Sequence, residues 1–283
     1  MRSRSGFTLV ELLVALVLFG LVGTSIYQLL VTNQRLYLTQ SERVNINQAA
    51  RAAASILPGE IRELSASDAA GSDIVTATAT GFRYRALKNV YFACMDGVAG
   101  TVTVDGRTWF GIRAVDVTTD SLLIFAENDP ATRSDDGWLH ADVTAAATGV
   151  LCGGALSVTL TVALAAGSIG GVLSGAPVRS YQLEQVSLYQ DAAGDYWLGS
   201  QSISKGSGAA GTIQPIVGPL SSAGLALRYY DQFGVVTADR SAIARVAISV
   251  TSQSGGMVRT DSGIGFITQD LTTDVALRNS ARY

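Results

Sequence analysis

The first hydrophobic feature of the chain is an apolar run near its N-terminus. Residues 12–22 read LLVALVLFGLV without a charge, and apolar positions continue to Val31. Residues 7–31 form a run of 25, and a helix needs about 20 apolar residues to span a bilayer. Arg2 and Arg4 precede this run. We therefore expect the N-terminus to stay in the cytoplasm and the rest of the chain to be exported.

Residues 33–57 continue the helical pattern beyond the apolar run. They contain neither Gly nor Pro, are rich in Ala, Gln, Glu and Arg, and place apolar side chains at helical spacing. A continuous helix over residues 7–57 would have 51 residues and a length of about 76 Å. We expect its first half, about 7–31, to cross the membrane and its amphipathic second half to face a head domain. Pro58-Gly59 predicts a stop or a bend, although residues 60–64 could add a turn.

The remaining residues, 58–283, show strand patterns. Residues 156–164 alternate, which predicts that their leucines and valines share one face, and residues 243–252 repeat the pattern with Val246, Ile248 and Val250 inward. Asp105-Gly106 separates two strand-like runs within residues 101–110 and predicts a hairpin. The other predicted strands cover residues 74–80, 82–86, 121–126, 179–189, 224–230 and 264–269.

Helical and strand patterns do not alternate strictly along the chain, which favours an antiparallel sheet over a doubly wound one. The predicted fold class is α+β, with a long N-terminal hydrophobic α-helix followed by a β-rich, mostly antiparallel globular head. The glycine-rich stretches 165–177 and 206–211 are expected to be surface loops. One head domain over residues 58–283 is predicted, and a division near residue 170 is the alternative.

Two features of the N-terminus do not fit an ordinary secretory signal. Glu11 lies inside the apolar run, where an acidic side chain costs on the order of 2 to 3 kcal/mol, and less near a helix end. The small-residue junction Ser5-Gly6 stands before the run, whereas a signal peptide is cut after its hydrophobic region. An ionisable group at such a place predicts a function for Glu11.

The stretch GFTLVEL at residues 6–12 resembles the leader junction of type IV pilin-like proteins, which are pilins and the pseudopilins of type II secretion. The resemblance implies that residues 1–6 are a leader, that a prepilin peptidase cuts after Gly6, and that Phe7 becomes the N-methylated N-terminus. It also implies that Glu11 docks onto the terminal amine of a neighbouring subunit and lacks a partner while the subunit is alone. An uncleaved signal anchor with an incidental glutamate is the alternative.

The same resemblance implies a structural role, with no enzymatic activity and no cofactor. The expected partners are the prepilin peptidase, other major and minor pilins or pseudopilins, and the inner membrane. Before assembly the chain would be a single-pass inner-membrane protein with a cytoplasmic N-terminus. Its head would be periplasmic or extracellular, and would then lie in a filament at the cell surface.

The chain departs from the family's major pilins, which are usually shorter and often carry a proline in the hydrophobic helix. Residues 7–57 contain no proline and the head is much larger, so a minor subunit is expected. Residues 248–256 and 272–283 look similar to PilW-type minor pilins and to the J-type minor pseudopilin. The pseudopilin that caps the tip lacks the glutamate, so Glu11 argues against that identity. Pilus and type II secretion pseudopilus both stay open, as does a membrane-tethered extracytoplasmic binding protein or enzyme.

Composition and cysteine count fit an exported head. Loss of the leader removes Arg2 and Arg4 and moves the formal net charge from −3 to −5, which argues against nucleic acid as a main partner. FRYRALK at residues 82–88 is a local basic exception and is interpreted as an amphipathic strand. Cys94 and Cys152 are an even number in an oxidising compartment, so a disulfide is plausible and two buried thiols are the alternative.

Support for catalysis or metal binding is weak. His140 is the chain's one histidine and is interpreted as structural or exposed. GSGAAG at residues 206–211 matches a dinucleotide-binding pattern, but the prolines that follow preclude the helix such a site needs. An acidic stretch could supply oxygen ligands for calcium, although a solvated turn is the favoured interpretation. The weak calcium candidates are Glu127, Asp129, Asp135 and Asp136.

Overall fold

A computed structural model describes residues 8–66, 71–107, 110–111, 113–260 and 263–278. In this part of the chain a single α-helix, α1 (Leu9–Arg62), is followed by a head of antiparallel strands. The predicted α+β class is confirmed. Short 3-10 helices lie at Arg133–Asp135, Ile169–Gly171 and Arg240–Ala242.

The head contains the following strands. The first seven are β1 (Ile74–Thr78), β2 (Gly81–Phe92), β3 (Thr101–Asp105), β4 (Phe110–Gly111), β5 (Ser121–Ala126), β6 (Gly137–Cys152) and β7 (Ala155–Leu164). They are followed by β8 (Pro177–Gln190), β9 (Tyr196–Ile203), β10 (Gln214–Tyr230), β11 (Arg245–Gln253), β12 (Val258–Thr260), β13 (Gly263–Gly265) and β14 (Thr268–Ala276).

Twelve of these strands form one sheet, and β12 and β13 form a separate hairpin. The long path of the sheet runs β14-β11-β10-β9-β8-β5-β6-β7-β3, while β2 pairs with β8 along nearly its whole length and carries β1 and β4 on its other edge. β2, which precedes residue 170, pairs with β8, which follows it, so strands from both sides of residue 170 belong to the same sheet.

The first hydrophobic core lies between α1 and the strands β1, β2 and β8 to β11 together with β14, and we call this half the helix lobe. Leu57 of the helix is fully buried there, and Val246, Ile248 and Val250 of β11 point inward as predicted. A helix that places one face on an antiparallel sheet buries its apolar stripe and leaves its polar side in solvent.

The second core lies among β3, β5, β6, β7 and the ends of β2 and β8, and we call this half the barrel lobe. Ala93 forms an isolated bridge with Val104, which returns β3 to the end of β2 and closes these strands around the core. Val102, Leu122 and Leu160 are fully buried inside. The head therefore has two cores that share β2 and β8.

The helix continues through Pro58, which is the alternative with an added turn after residue 59. Pro58 lies inside α1, which continues to Arg62 instead of stopping at residue 57. An interior proline costs about 3 kcal/mol, but Leu57 and Ile61 on either side of it are buried at 0% and 2% exposure. Burial of two such side chains contributes about 3–6 kcal/mol, so packing on the sheet offsets the proline.

The predicted hairpin at Asp105-Gly106 is wrong. β3 pairs with β7, and β4 pairs with β2 at Asn89 and Val90. The local turn signal was overridden by pairing with strands distant in the sequence, which sequence periodicity does not reveal. The predicted strand over residues 264–269 is likewise divided between β13 and β14.

Two further expectations need correction in the barrel lobe. The stretch 165–177 is not wholly a surface loop, because Ile169, Val172 and Ala176 are buried in the second core. In β7 the predicted inward face holds at Leu160, but Leu156 at the strand's start is 52% exposed and Ser157 is buried instead. The Ser157 hydroxyl accepts a hydrogen bond from Leu151 N at 3.2 Å, so the start of the strand serves the hairpin turn and not the core.

Candidate assembly site at the helix N-terminus

The start of α1 is closed by a reciprocal pair of hydrogen bonds. Thr8 precedes the helix in an extended conformation, and its hydroxyl accepts a hydrogen bond from Glu11 N at 3.3 Å. The Glu11 carboxylate in return accepts hydrogen bonds from Thr8 N at 2.9 Å and from the Thr8 hydroxyl at 3.1 Å. This capping box satisfies backbone donors that the first turn would leave unpaired, and it places a negative charge at the positive end of the helix.

The capping box corrects one expectation from the sequence. Glu11 does not lack a partner in the isolated chain, because Thr8 donates two hydrogen bonds to its Oε2 atom. The signal was present in the sequence as T-x-x-E at residues 8–11, which is the capping-box pattern. Gly6 and Phe7 lie outside the described residues, so cleavage after Gly6 and methylation of Phe7 stay predictions.

The first half of α1 has no packing partner among the residues that the structure describes. The buried residues of the helix begin at Ile46, and the large apolar side chains before it are exposed apart from the half-buried Val31. Within the described residues, α1 is the one helix that is long and apolar enough to cross a membrane. The exposed large apolar side chains of residues 9–30 are Leu9, Val10, Leu12, Leu13, Val14, Leu16, Val17, Leu18, Phe19, Leu21, Val22, Ile26, Tyr27, Leu29 and Leu30.

Polar groups within this apolar half are satisfied locally. The Thr24 hydroxyl donates to Gly20 O at 3.0 Å, and the Ser25 hydroxyl donates to Leu21 O at 2.9 Å. Such bonds let hydroxyl groups sit in a helix surrounded by lipid. A Cβ atom added at Gly20 or Gly23 would meet nothing within 4 Å, so packing within the chain does not require either glycine.

The two cysteines are joined in the barrel lobe. Cys94 and Cys152 form a disulfide with a Cα–Cα distance of 5.5 Å. Cys94 follows β2 and its N–H donates to Thr103 O at 2.9 Å, while Cys152 ends β6. The disulfide therefore joins the tip of the β6–β7 hairpin to the end of β2, next to the Ala93–Val104 bridge that closes the barrel.

The calcium candidates are not grouped as metal ligands in the described part of the chain. Within the described residues, no group of three or more His, Cys, Asp or Glu side chains is arranged to hold a metal ion. Asp129 instead accepts hydrogen bonds from Ala131 N at 3.0 Å and from the Thr132 hydroxyl at 3.3 Å. Asp135 accepts from Asp129 N at 3.2 Å. These two carboxylates therefore shape a turn, and Glu127 and Asp136 do not join them in a metal-binding group.

The remaining sequence candidates have structural positions. His140 lies in β6 opposite Leu123 of β5. The glycine-rich stretch 206–211 connects β9 to strand β10 and not to a helix, so it offers no helix N-terminus to a phosphate. Residues 82–88 are an amphipathic strand as predicted, because Phe82 and Tyr84 are buried while Arg83 donates to Gln185 Oε1 at 3.0 Å.

Sequence reasoning missed two features of the head. Lys205 in the β9–β10 connection donates to the backbone oxygens of Val117, Asp120 and Val143, which attaches this connection to the barrel lobe. A groove of about 960 Å³ lies beside the C-terminal end of α1 and across β2 and β8. Its lining carries both signs of charge and an aromatic ring, including Glu60, Glu63, Arg85, Arg179, Tyr181 and Glu184. Both features bring together segments that are far apart in the sequence, so no local pattern signals them.

Residues 1–27 match the family model described as Prokaryotic N-terminal methylation motif. Searches of curated proteins and of solved structures returned no significant match. The motif together with the long apolar helix supports a type IV pilin-like protein that is a substrate of a prepilin peptidase and assembles with other pilins. The same two features indicate anchoring in the membrane by the N-terminus, and proteins of this kind are generally structural and not enzymatic.

Proposed function

We propose that this chain is a minor pilin-like subunit that joins, or primes assembly of, a type IV pilus or a related filament. The observation that carries the proposal is a methylation motif at residues 1–27 that leads into a 54-residue helix, whose apolar first half has no packing partner among the described residues. In this proposal a prepilin peptidase cuts after Gly6, Phe7 is N-methylated, and the head is exported.

Glu11 is the proposed docking group. Its Oε2 atom is held by Thr8 on the first turn of α1, close in sequence to the new N-terminus at Phe7. A neighbouring subunit's terminal amine would then meet a carboxylate that is already oriented. In a medium that contains little water, attraction between such charges is much stronger than in solution, and an unpaired charge is costly. Docking through this pair therefore favours the assembled filament over the separate subunit in the membrane.

The size of the head supports a minor subunit of the PilW type or the J-type minor pseudopilin. A pilus subunit and a pseudopilin share the leader, the helix and the β-rich head, so neighbouring genes for other prepilins are the observation that separates them. A minor subunit is expected to be far scarcer than the major pilin in sheared filaments, as quantitative blotting would show. Equal amounts of the two would contradict the minor role.

The groove beside the end of α1 supports a second candidate of a different class. A lined cavity of about 960 Å³ falls in the size range of small-molecule sites, so the head could be a binding domain for which the helix is only a tether. Such a protein would need no prepilin processing. Leader cleavage therefore discriminates between the two candidates.

The deciding experiment measures the mature N-terminus. The full chain is expressed with and without an active prepilin peptidase, and intact mass and N-terminal sequencing are recorded. We expect a chain that begins at N-methylated Phe7 only when the peptidase is present, and a Gly6→Val control that stays uncut. A mature chain that begins beyond residue 30, or that keeps Met1 beside an active peptidase, would refute the pilin proposal.

The redox state of the head tests export separately. Cys94 and Cys152 are bonded in the structure, and such bonds persist in oxidising compartments. In the exported protein we expect neither thiol to react with a maleimide label until a reductant is added. Two reactive thiols in the native chain would contradict an oxidised, exported head while leaving the result on leader cleavage unaffected.

A further inference from the structure

The β12–β13 hairpin exposes apolar side chains outside both cores. Met257, Ile264 and Phe266 are 67%, 69% and 50% exposed. Arg259 on β12 is also exposed, and it is the one charged side chain that the structure describes between residues 255 and 267. An exposed apolar cluster of this kind on a small hairpin marks a contact surface.

Contacts with α1 show where this hairpin lies. At the far end of the helix, Arg278 N donates to Arg62 O at 2.9 Å. At the other end of the sheet, the Ser252 hydroxyl donates to Ile46 O at 2.8 Å, and Gly255 N donates to Glu42 Oε2 at 3.2 Å. β11 therefore runs toward the membrane half of the helix, and β12, which also contacts α1, continues in that direction.

The rise per residue of the helix gives the distance of the hairpin from the membrane. Residues 9–31 would extend about 34 Å at 1.5 Å per residue, which matches a hydrocarbon core of about 30 Å that ends near Val31. Glu42 lies about 16 Å beyond that point. The five steps from Gly255 to Thr260 span at most about 17 Å, so a hairpin that runs beside the helix is long enough to bring its turn end to the level of the lipid headgroups.

The helix composition at that level agrees with an interface. Residues 32–35 read TNQR directly after the apolar run, and Tyr37 follows. Polar and aromatic side chains of this kind are enriched where a spanning helix leaves the hydrocarbon. The hairpin thus lies beside the helix where the helix leaves the membrane. Its apolar side chains are available to the acyl boundary, and Arg259 is available to a lipid phosphate.

We propose that the β12–β13 hairpin rests on the phospholipid surface of the membrane while the subunit is anchored there. Ile264, which pairs with Arg259 near the turn of the hairpin, contacts the acyl boundary, and Arg259 pairs with a lipid phosphate. Met257 and Phe266, at the other end of the hairpin, face the headgroup layer. The hairpin and helix together then fix the tilt of the head before assembly. This inference requires membrane anchoring but not filament assembly, so its failure and the failure of the filament proposal are distinguishable.

The test places a spin label on the full chain in vesicles of phosphatidylcholine and phosphatidylglycerol. Ile264→Cys is labelled without reductant, which preserves the Cys94–Cys152 bond. The matched control is Val235→Cys, an equally exposed apolar site at 61% exposure in the turn that follows β10, at the opposite end of the helix lobe. We expect the ratio of collision with oxygen to collision with a nickel chelate to be several-fold higher at 264 than at 235.

A second variant tests the proposal without relying on the label. In Phe266→Ser the ratio at 264 is expected to fall toward the control value, while Phe233→Ser leaves it high. Equal chelate collision at 264 and 235 in vesicles would overturn the proposal. Protection at 264 that appears only after partner pilins are added would also overturn it, and would assign the hairpin to a contact between subunits.

Discussion

The two halves of α1 place apolar side chains in opposite surroundings. In residues 9–30 large apolar residues face every direction and are exposed, with Leu13 at 59%. From Ile46 onward the helix buries one face, and Leu57 is fully buried against the sheet. One uninterrupted helix thus carries an all-round apolar surface and then an amphipathic one, and these are the patterns of a membrane span and of a helix in a soluble head.

This difference shows which half of the helix belongs to the core of the head and which half lies outside both cores. Residues 46–61 complete the first core of the head, so that core depends on them. Residues 9–31 contribute nothing to either core of the described chain, so their side chains are available to lipid or to other subunits. Substitutions in the two halves should therefore have separable effects.

The largest expected effect comes from Glu11 in the first half. Glu11→Val removes the proposed docking charge and the membrane cost of a carboxylate, so the variant should be inserted and cleaved at least as well as the wild type. We expect it to lose cofractionation with filaments and pull-down with other minor subunits, because the attraction to a neighbouring amine is gone. Western blots of membrane and sheared-filament fractions measure both properties.

The capping box supplies the control for this variant. Thr8→Val removes the hydroxyl that bonds to Glu11 but keeps the carboxylate, and loss of such a cap costs about 1 kcal/mol. If Glu11 acts by docking, Thr8→Val should still assemble. Equal loss of assembly in both variants would show that helix capping, and not charge pairing between subunits, explains the role of Glu11.

Much of the fold followed from local patterns in the sequence. The apolar run, the alternation in β11 and the amphipathic strand at residues 82–88 each depend on residues near in sequence. The sequence left open whether α1 stops at Pro58 or extends beyond it, because the extension depends on burial of Leu57 and Ile61 against strands about 200 residues away. The predicted Asp105-Gly106 hairpin is wrong for the same reason, since β3 pairs with β7 and β4 pairs with β2 instead of with each other.

The candidate site was less predictable than the fold. Glu11 stood out as a charge in an apolar run, and a T-x-x-E pattern would have indicated its pairing with Thr8. The groove and the Lys205 contacts bring together residues separated by more than 60 positions. Closeness of this kind is set by strand order, and strand order has no local signature.

The next effect separates the two halves by stability. Leu57→Ala empties a fully buried position of the first core, and such a change costs about 2–5 kcal/mol. Leu13→Ala, the same substitution on the exposed half, should change the free energy of unfolding of the head by less than about 0.5 kcal/mol. Urea unfolding of the full chain in detergent, followed by tryptophan fluorescence, measures both.

Membrane anchoring should not differ between these two variants. Both variants keep a long apolar run, so both should stay in the membrane fraction after carbonate extraction. A head that is as stable in Leu57→Ala as in Leu13→Ala would show that the second half of the helix is not part of the core.

The smallest effect concerns the end of the second half, where the Tyr84 hydroxyl donates to Glu60 Oε2 of α1 at 2.7 Å. Burial, together with this bond to Glu60, raises the pKa of Tyr84 far above its usual value. The folded head therefore keeps a proton that an unfolded chain releases above about pH 10. The contribution of Tyr84 to stability is full below that pH and is lost as the pH rises further, at up to about 1.4 kcal/mol per pH unit.

Tyr84→Phe should flatten this alkaline loss, because phenylalanine has no proton to release in either state. Near neutral pH it should also cost about 1 kcal/mol through the missing hydrogen bond to Glu60. Tyr37→Phe, at a side chain 72% exposed on the part of the helix before the head, should match the wild type in free energy of unfolding at neutral pH. Urea unfolding at several pH values between neutral and strongly alkaline measures the slope for each variant. The contrary outcome is that Tyr84→Phe loses stability as steeply as the wild type above pH 10. In that case the buried bond between the helix and β2 is not the source of the alkaline sensitivity. Other buried tyrosines of the head would then have to supply it.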